Sequence, residues 1–238
     1  MRGAAEIGAG ERMDRIYAPQ RLIYDVTRRH YLLGRTGLVR GLRPPSGGHV
    51  LEIACGTAWN LIQAADQYRD ARFYGLDVSS AMLETARRSI ARRGLCGRMT
   101  LARADATCFD PVQLFGRRDF DRVFISYALS MMPDWVGALE QAAGVVAADG
   151  ALHILDFGQC EDLPVAVRSL LFSWLARFSV TPIPDLASGI QRVAVSGRFE
   201  ARTAQLHRGY AIWVELQRAA GSDGIRAELP DCHMPRIR

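Results

Sequence analysis

The sequence predicts an α/β fold: a doubly wound, mostly parallel sheet of seven strands, with a C-terminal antiparallel hairpin and an N-terminal helical extension. Three observations predict it. Between residues 50 and 157, short apolar runs alternate with amphipathic stretches of helical period, as in a parallel sheet with crossover helices. Pro44-Pro45-Ser46-Gly47-Gly48 breaks the chain ahead of that region. After it, two strand-like runs flank His207-Arg208-Gly209 and read as a hairpin.

Residues 1–12 are rich in Gly and Ala and read as a mobile tail; residues 13–43 read as a helical lid or substrate segment. The domain proper is expected over 44–217, followed by an aperiodic tail over 218–238. Strand Val50–Ile53 leads into a helix over Trp59–Tyr68. Ala71–Asp77 is the next strand, and Ser79–Arg93 a helix with Ser79 as its cap. Arg98–Ala104 and Phe120–Ser126 are strands. Trp135–Ala147 is a helix that Asp149-Gly150 is expected to end. Ala151–Phe157 is a strand, Leu163–Phe178 a helix entered through Pro164, and Pro182–Gly197 holds another helix. Phe199–Leu206 and Tyr210–Leu216 form the hairpin.

Composition narrows the function. Of 238 residues 49% are apolar and 23% charged, enough to bury a core. All 30 basic side chains are Arg, which excludes Schiff-base or P-loop lysine chemistry. The net charge of +5 resides in residues 1–43, with nine Arg against four acids; the remainder balances. A broad nucleic-acid surface is therefore not expected, although a local anionic contact is compatible. Five cysteines without a C-x-x-C suggest reduced thiols rather than a disulfide or metal framework. No run reaches the ~18–20 apolar residues of a membrane span, and Met1–Arg12 lacks a signal-peptide core. The expected location is the cytoplasm, with peripheral contact at the inner membrane surface.

A ligand is expected at the turn after the first strand. Ala54, Gly56 and Ala58 allow close backbone approach there. With one glycine only, the turn is not a dinucleotide fingerprint. Asp77, 21 residues after Gly56, ends the second strand, where a carboxylate can accept both hydroxyls of a ribose. Asp105 ends the third, where it can accept from an adenine amino group. The plainer alternative makes both acids loop formers and helix caps.

These residues carry a resemblance. Glu52-Ile-Ala-Cys-Gly-Thr, Gly75-Leu-Asp-Val-Ser, Ala104-Asp-Ala and Ser126-Tyr127 make Leu51–Phe157 similar to the class I S-adenosylmethionine-dependent methyltransferases. The resemblance implies a Rossmann-like methyltransferase sheet and S-adenosylmethionine as cofactor, with no metal. It sets Ala54, Cys55, Gly56 and Thr57 against the methionine part and adds Glu52 and Asn60 to the cofactor-binding set. It gives Asp77 the ribose, Val78 and Met82 the adenine faces, and Asp105 and Ala106 its amino edge. Ser126 would stand near the methionine moiety, and Arg35 would hold its carboxylate. Ala54 and Ala58 depart from the family, which usually has glycine there; alanine disfavours positive φ.

The acceptor is read from other residues. Ser126-Tyr127-Ala128-Leu129 lacks the N/D-P-P-Y/F/W of nucleobase-amine enzymes. Tyr17, Arg21, Tyr24, Arg28, Tyr31 and Arg35 recur every three or four residues and make one stripe on a continuous helix. Arg pairs with phosphate or carboxylate, and Tyr faces attract an ammonium or sulfonium. The plainer alternative is a surface helix whose Arg stems cover Tyr rings. Over 13–217 the chain also resembles bacterial lipid-headgroup N-methyltransferases, in particular those of diacylglyceryl homoserine in betaine-lipid synthesis. Met13-Asp-Arg-Ile-Tyr, Ile23-Tyr-Asp-Val-Thr-Arg-Arg, Tyr31-Leu-Leu-Gly-Arg, Phe124 to Trp135, Leu155-Asp-Phe-Gly and Arg208-Gly-Tyr carry it.

That resemblance implies a lipid substrate with an amine headgroup, methylated three times, with phosphatidylethanolamine as the alternative. Tyr17, Tyr31 and Tyr127 are candidates to line the methyl-transfer site. Arg21, Tyr24, Arg28, Trp135 and Asp156 are candidates for substrate binding. Asp156, His153 and His30 are candidates to take a proton, each with a structural alternative. The apolar run Leu170–Phe178 would cover the sheet or rest on a membrane interface. A soluble small-molecule methyltransferase and a cofactor-binding protein without activity stand as alternatives, and the oligomeric state is left open.

Overall fold

The computed structural model describes residues 31–178 and 180–219. Strand β1 (His49–Ile53) runs parallel between β2 (Arg72–Asp77) and β4 (Phe120–Ser126). Strand β3 (Met99–Arg103) flanks β2, and β5 (Val146–Phe157) flanks β4. The hairpin of β6 (Phe199–Leu206) and β7 (Ala211–Arg218) adds two antiparallel strands, β7 against β5. The order is β3-β2-β1-β4-β5-β7-β6. This is the doubly wound α/β sheet with a C-terminal hairpin expected from the sequence. Winding reverses between β1 and β4, which opens a crevice at their carboxyl ends.

Seven α-helices appear among the described residues: α1 (Arg35–Gly41), α2 (Trp59–Gln67), α3 (Ser80–Arg92), α4 (Pro111–Phe115), α5 (Trp135–Gly144), α6 (Val165–Ala176) and α7 (Leu186–Ser196). Leu51, Ile53, Val123, Ile125, Leu152 and Ile154 pack on one face with Leu139 of α5 and Ile190 of α7. Val50, Phe73, Phe124 and Leu155 pack on the other with Leu38 of α1, Leu61 of α2 and Leu83 of α3. Burial of both faces accounts for the nearly continuous apolar runs of the parallel strands. Caps fix the helix starts: Ser79 Oγ accepts from Met82 N at 3.2 Å, and Asp134 Oδ1 accepts from Gly137 N at 2.9 Å.

Three expectations are corrected. Helix α5 stops at Gly144, and the chain rejoins the sheet at Val146, opposite Phe120. Asp149-Gly150 therefore lies in a bulge before Ala151 rather than ending the helix. The Arg218 guanidinium takes over that ending by donating to the carbonyls of Ala143 and Val146. Second, Gly34 adopts φ +84° ahead of α1, so Tyr31 and Arg35 do not share one continuous helix. Third, Cys55, Cys96 and Cys160 are free, but Cys108 is disulfide-bonded.

Helix α6 buries only Leu175 fully, while Val165, Val167 and Leu170 are exposed. Leu171, Phe172 and Trp174 pack with Leu175 against the core, so the helix covers the sheet with one side and presents an apolar outer face with the other. No helix among the described residues is long and apolar enough to cross a membrane.

Candidate functional site

The turn after β1 is wound left-handed three times, at Ala54 (φ 56°), Gly56 (φ 54°) and Ala58 (φ 62°). Two of the three positions therefore carry a methyl group in a region that favours glycine, at roughly 1 kcal/mol each. The turn survives because its ends are held: Cys55 N donates to Leu76 O at 2.9 Å, and Ala58 N donates to Cys55 O at 2.9 Å. The turn is thus left-handed at Ala54 and Ala58 as well as at Gly56, with alanine at two of its three positive-φ positions.

Asp77 closes the turn from the end of β2. Its Oδ2 accepts from Gly56 N at 2.8 Å and its Oδ1 from Ser79 N at 2.9 Å. A carboxylate at the end of this strand is also the acceptor type that ribose hydroxyls require. Ser79 caps α3 and holds Val78 and buried Met82 at the rim. Asp105 follows β3 and is exposed; its Oδ1 accepts from Thr107 N and Thr107 Oγ1 at 2.8 and 2.7 Å. The adjoining Ala106 is buried. Both acids thus perform the loop-forming task of the plainer reading while standing at strand ends where a nucleoside can meet them.

Glu52 is enclosed beneath the turn, 1% exposed. Its Oε1 accepts from Asn60 Nδ2 at 2.6 Å, and its Oε2 has no partner. Burial pushes its carboxyl up to about 8, with the Asn60 bond opposing. Asn60, in the first turn of α2, accepts in turn from Arg35 Nε at 2.8 Å. The Arg35 guanidinium lies 4.1 Å over the Trp59 ring. Trp59, bulky beside such a turn, is thereby explained as the platform for Arg35. Sequence reasoning did not assign it; the pairing joins residues from two helices and leaves no local pattern. The orphaned Glu52 oxygen, the Asp77 carboxylate and the open backbone at Gly56, where an added Cβ would meet nothing within 4 Å, suit the ammonium, ribose and methionyl chain of S-adenosylmethionine.

At the end of β4, Ser126 Oγ is enclosed without a partner. Tyr127 follows at φ 53° and is 1% exposed. Its hydroxyl donates to Leu33 O at 2.6 Å, and its ring packs 4.6 Å from that of Phe157. Burial pushes its phenol well above the ordinary tyrosine range. Asp156 is fully enclosed; its oxygens accept from Ser130 N at 3.3 Å and Phe157 N at 2.8 Å, which organises the turn after β4. Trp135 packs over Gly189 of α7 as part of the core. Tyr31 meets Trp174 edge-on at 5.0 Å and Phe178 at 6.4 Å, and its carbonyl accepts from Tyr210 OH at 2.8 Å. Tyr17, Arg21, Tyr24, Arg28 and His30 lie outside the described residues.

The structure thus brings Arg35, Glu52, Asn60, the Ala54–Ala58 turn and Asp77 together. Asp156 and Trp135 are turned to local packing.

Comparisons agree with this geometry. The family described as "Methyltransferase domain" matches residues 50–150. An O-methyltransferase from Penicillium expansum is 33% identical over 130 residues, 53% of this chain and 45% of its own. A demethylmenaquinone methyltransferase from Geobacillus kaustophilus is 29% identical over 156 residues, 63% of this chain and 64% of its own. The chain thus spans from under a half to just under two thirds of the length of these relatives. The solved structure of an S-adenosylmethionine-dependent methyltransferase from Aquifex aeolicus superposes with a TM-score of 0.57 at 14% identity, over 81% of this chain and 93% of that one. Betaine-lipid enzymes are not among these relatives.

Proposed function

We propose, for a chain whose residues 50–150 match a methyltransferase-domain family, that it transfers the methyl group of S-adenosylmethionine to an acceptor carried on an amphiphile. One observation carries the cofactor half: an enclosed Glu52 with an unpartnered oxygen lies beneath a left-handed turn that Asp77 closes. The bound cofactor supplies an already activated methyl group, so the protein's task is positioning. Glu52 and Asn60 fix the ammonium end, Asp77 the ribose, and Met82 with Ala106 the adenine. Arg35, held by Asn60 and Trp59, sets a cation beside the carboxylate end.

The acceptor half rests on Tyr31, Trp174 and Phe178, an aromatic group continuous with the exposed apolar face of α6. Such a surface suits acyl chains more than a freely dissolved metabolite. The finer reading is a lipid headgroup amine, diacylglyceryl homoserine above phosphatidylethanolamine. It draws on the recurrence of Tyr and Arg along the sequence from Tyr17 to Arg35. Tyr127 is bonded to Leu33 and Asp156 to its own turn. Neither takes the amine proton, which leaves to water before the amine docks.

A second reading is methylation at oxygen or carbon. It is favoured by the two relatives, an O-methyltransferase and a demethylmenaquinone methyltransferase.

The test is incubation with methyl-labelled S-adenosylmethionine and, in separate detergent mixtures, diacylglyceryl homoserine, phosphatidylethanolamine, demethylmenaquinone and a small phenol. Label in a lipid amine supports the first reading. Label only in the quinone or phenol replaces it with the second. Cofactor binding by calorimetry with every acceptor inert would leave a binding protein without this activity.

A further inference from the structure

A second concave site lies away from the cofactor turn. A cavity of about 400 Å³ opens between the end of α1 and the β4–β5–β7–β6 side of the sheet. Arg43, Arg122 and Arg202 line it together with Trp213 and Glu215. Strand register explains the convergence. Glu215 pairs with both Arg202 and His153, and His153 pairs with Phe124, two residues beyond Arg122. All these side chains therefore leave the same face of the sheet. Arg122 stands near the start of β4, whereas the cofactor turn follows the end of β1.

The three guanidiniums are not spent on carboxylates. The ion pairs Arg88–Glu84 and Arg93–Asp66 involve none of the three. Arg122 is anchored by carbonyls instead, donating to Leu42 O at 2.6 Å, Asp121 O at 2.6 Å and Arg43 O at 2.9 Å. This fixes one positive charge as a half-buried wall and leaves Arg43 and Arg202 at the exposed mouth. Beside them His153 is 1% exposed, and neither ring nitrogen has a hydrogen-bond partner. Its ring lies 6.4 Å from that of Trp213. Burial, then Arg122 and Arg43, push it down to about 3. Leaving a buried polar group unpaired costs about 1–3 kcal/mol. Such a group, on the same sheet face as three arginines that Glu215 offsets only in part, marks a face suited to a polar ligand.

We propose that this cavity is a second, oxyanion-binding site. It takes a small flat molecule whose phosphate or carboxylate lies between Arg43 and Arg202. Guanidinium forks match both groups in two-bond geometry. The Trp213 face supplies a stacking surface. Glu215, a lone carboxylate among three arginines, selects a ligand that also carries a hydroxyl or amino donor. The volume holds one such molecule, in the range of small-ligand pockets of about 300–1,000 Å³.

The experiment is calorimetric titration of the full chain with three probes: inorganic phosphate, phenyl phosphate and salicylate. Saturating S-adenosylhomocysteine is present throughout to occupy the cofactor turn. The expected result is saturable binding of phenyl phosphate or salicylate, tighter than inorganic phosphate because of the ring. Preference between the two identifies phosphate or carboxylate as the natural group. Arg43→Ala and Arg202→Ala, both at exposed positions, should each weaken binding at least about tenfold, as loss of a charge-assisted pair requires. Trp213→Phe should weaken the two aromatic probes and leave inorganic phosphate unchanged. Glu215→Gln should weaken salicylate relative to phenyl phosphate. The melting temperature and the S-adenosylhomocysteine dissociation constant of each variant separate loss of the site from loss of the fold. Failure of all three probes to bind the native chain overturns the proposal, as does binding that Arg43→Ala and Arg202→Ala leave unchanged.

Discussion

The Asn60 side chain donates to Glu52 at 2.6 Å while accepting from Arg35 at 2.8 Å, so one amide joins the floor of the cofactor turn to the start of α1. Removing it should disturb both. Asn60→Ala leaves Glu52 enclosed without its donor, at a cost of about 1–3 kcal/mol. Urea unfolding should show a lower midpoint with the same slope. Calorimetry should show weaker S-adenosylmethionine binding as well, since Arg35 loses its guide.

Glu52 makes stability fall as pH rises from 4.5 to about 8. Its carboxyl holds a proton to about pH 8 in the native chain, against an ordinary value of 4.5. Between those values the native state binds more protons than the unfolded one, so stability decreases as pH rises through that window. Glu52→Gln should flatten that decline when unfolding midpoints are compared from pH 5 to 9. A variant with the native slope would assign the proton to another group.

His153 acts in the opposite sense. Its native value near 3 lies below the ordinary 6.5, so the unfolded state binds the extra proton between them. The stability that a neutral His153 contributes is complete above 6.5 and is lost as pH falls toward 3. His153→Phe should therefore reduce acid sensitivity, read from unfolding midpoints between pH 4 and 7.

Asp77 serves the turn and the cofactor together. Asp77→Ala should weaken S-adenosylmethionine by at least about tenfold, the equivalent of about 1.4 kcal/mol. It should also lower the melting temperature, because Gly56 N and Ser79 N lose their acceptor. Asp77→Asn, which keeps an acceptor oxygen, should recover much of the melting temperature and less of the affinity. Unchanged dissociation constants in both variants would remove Asp77 from the ribose.

Ala58 holds a left-handed conformation with its side chain fully buried. Ala58→Gly should stabilise the chain by about 0.5–1 kcal/mol, since relief of the positive φ outweighs the added freedom of the unfolded chain. Thermal unfolding of the variant checks the sign.

The strands were legible because burial on both faces demands apolar runs, and Phe120–Ser126 matches its expected limits. The cap at Ser79 was legible because its chemistry is local. The end of α5 was not. Asp149-Gly150 looks like a stop in isolation, but pairing of Val146 with Phe120 and the reach of Arg218 act from far along the chain. The site divides in the same way. Glu52, Gly56 and Asp77 announce themselves by spacing along strand and turn. The task of Trp59, the anchoring of Tyr127 by Leu33 and the convergence of Arg43, Arg122 and Arg202 depend on register and leave no trace in local pattern.

The segment from Tyr31 to Leu42 is fastened by residues much later in the chain: Asn60, Arg122, Tyr127 and Tyr210. The tie from Tyr210 to Tyr31 spans 179 positions. During synthesis, the ties to Asn60, Arg122 and Tyr127 can form well before the one to Tyr210, which must wait until nearly all of the domain has emerged. Fastening of the segment is then completed, at its Tyr31 end, only as the last strand arrives.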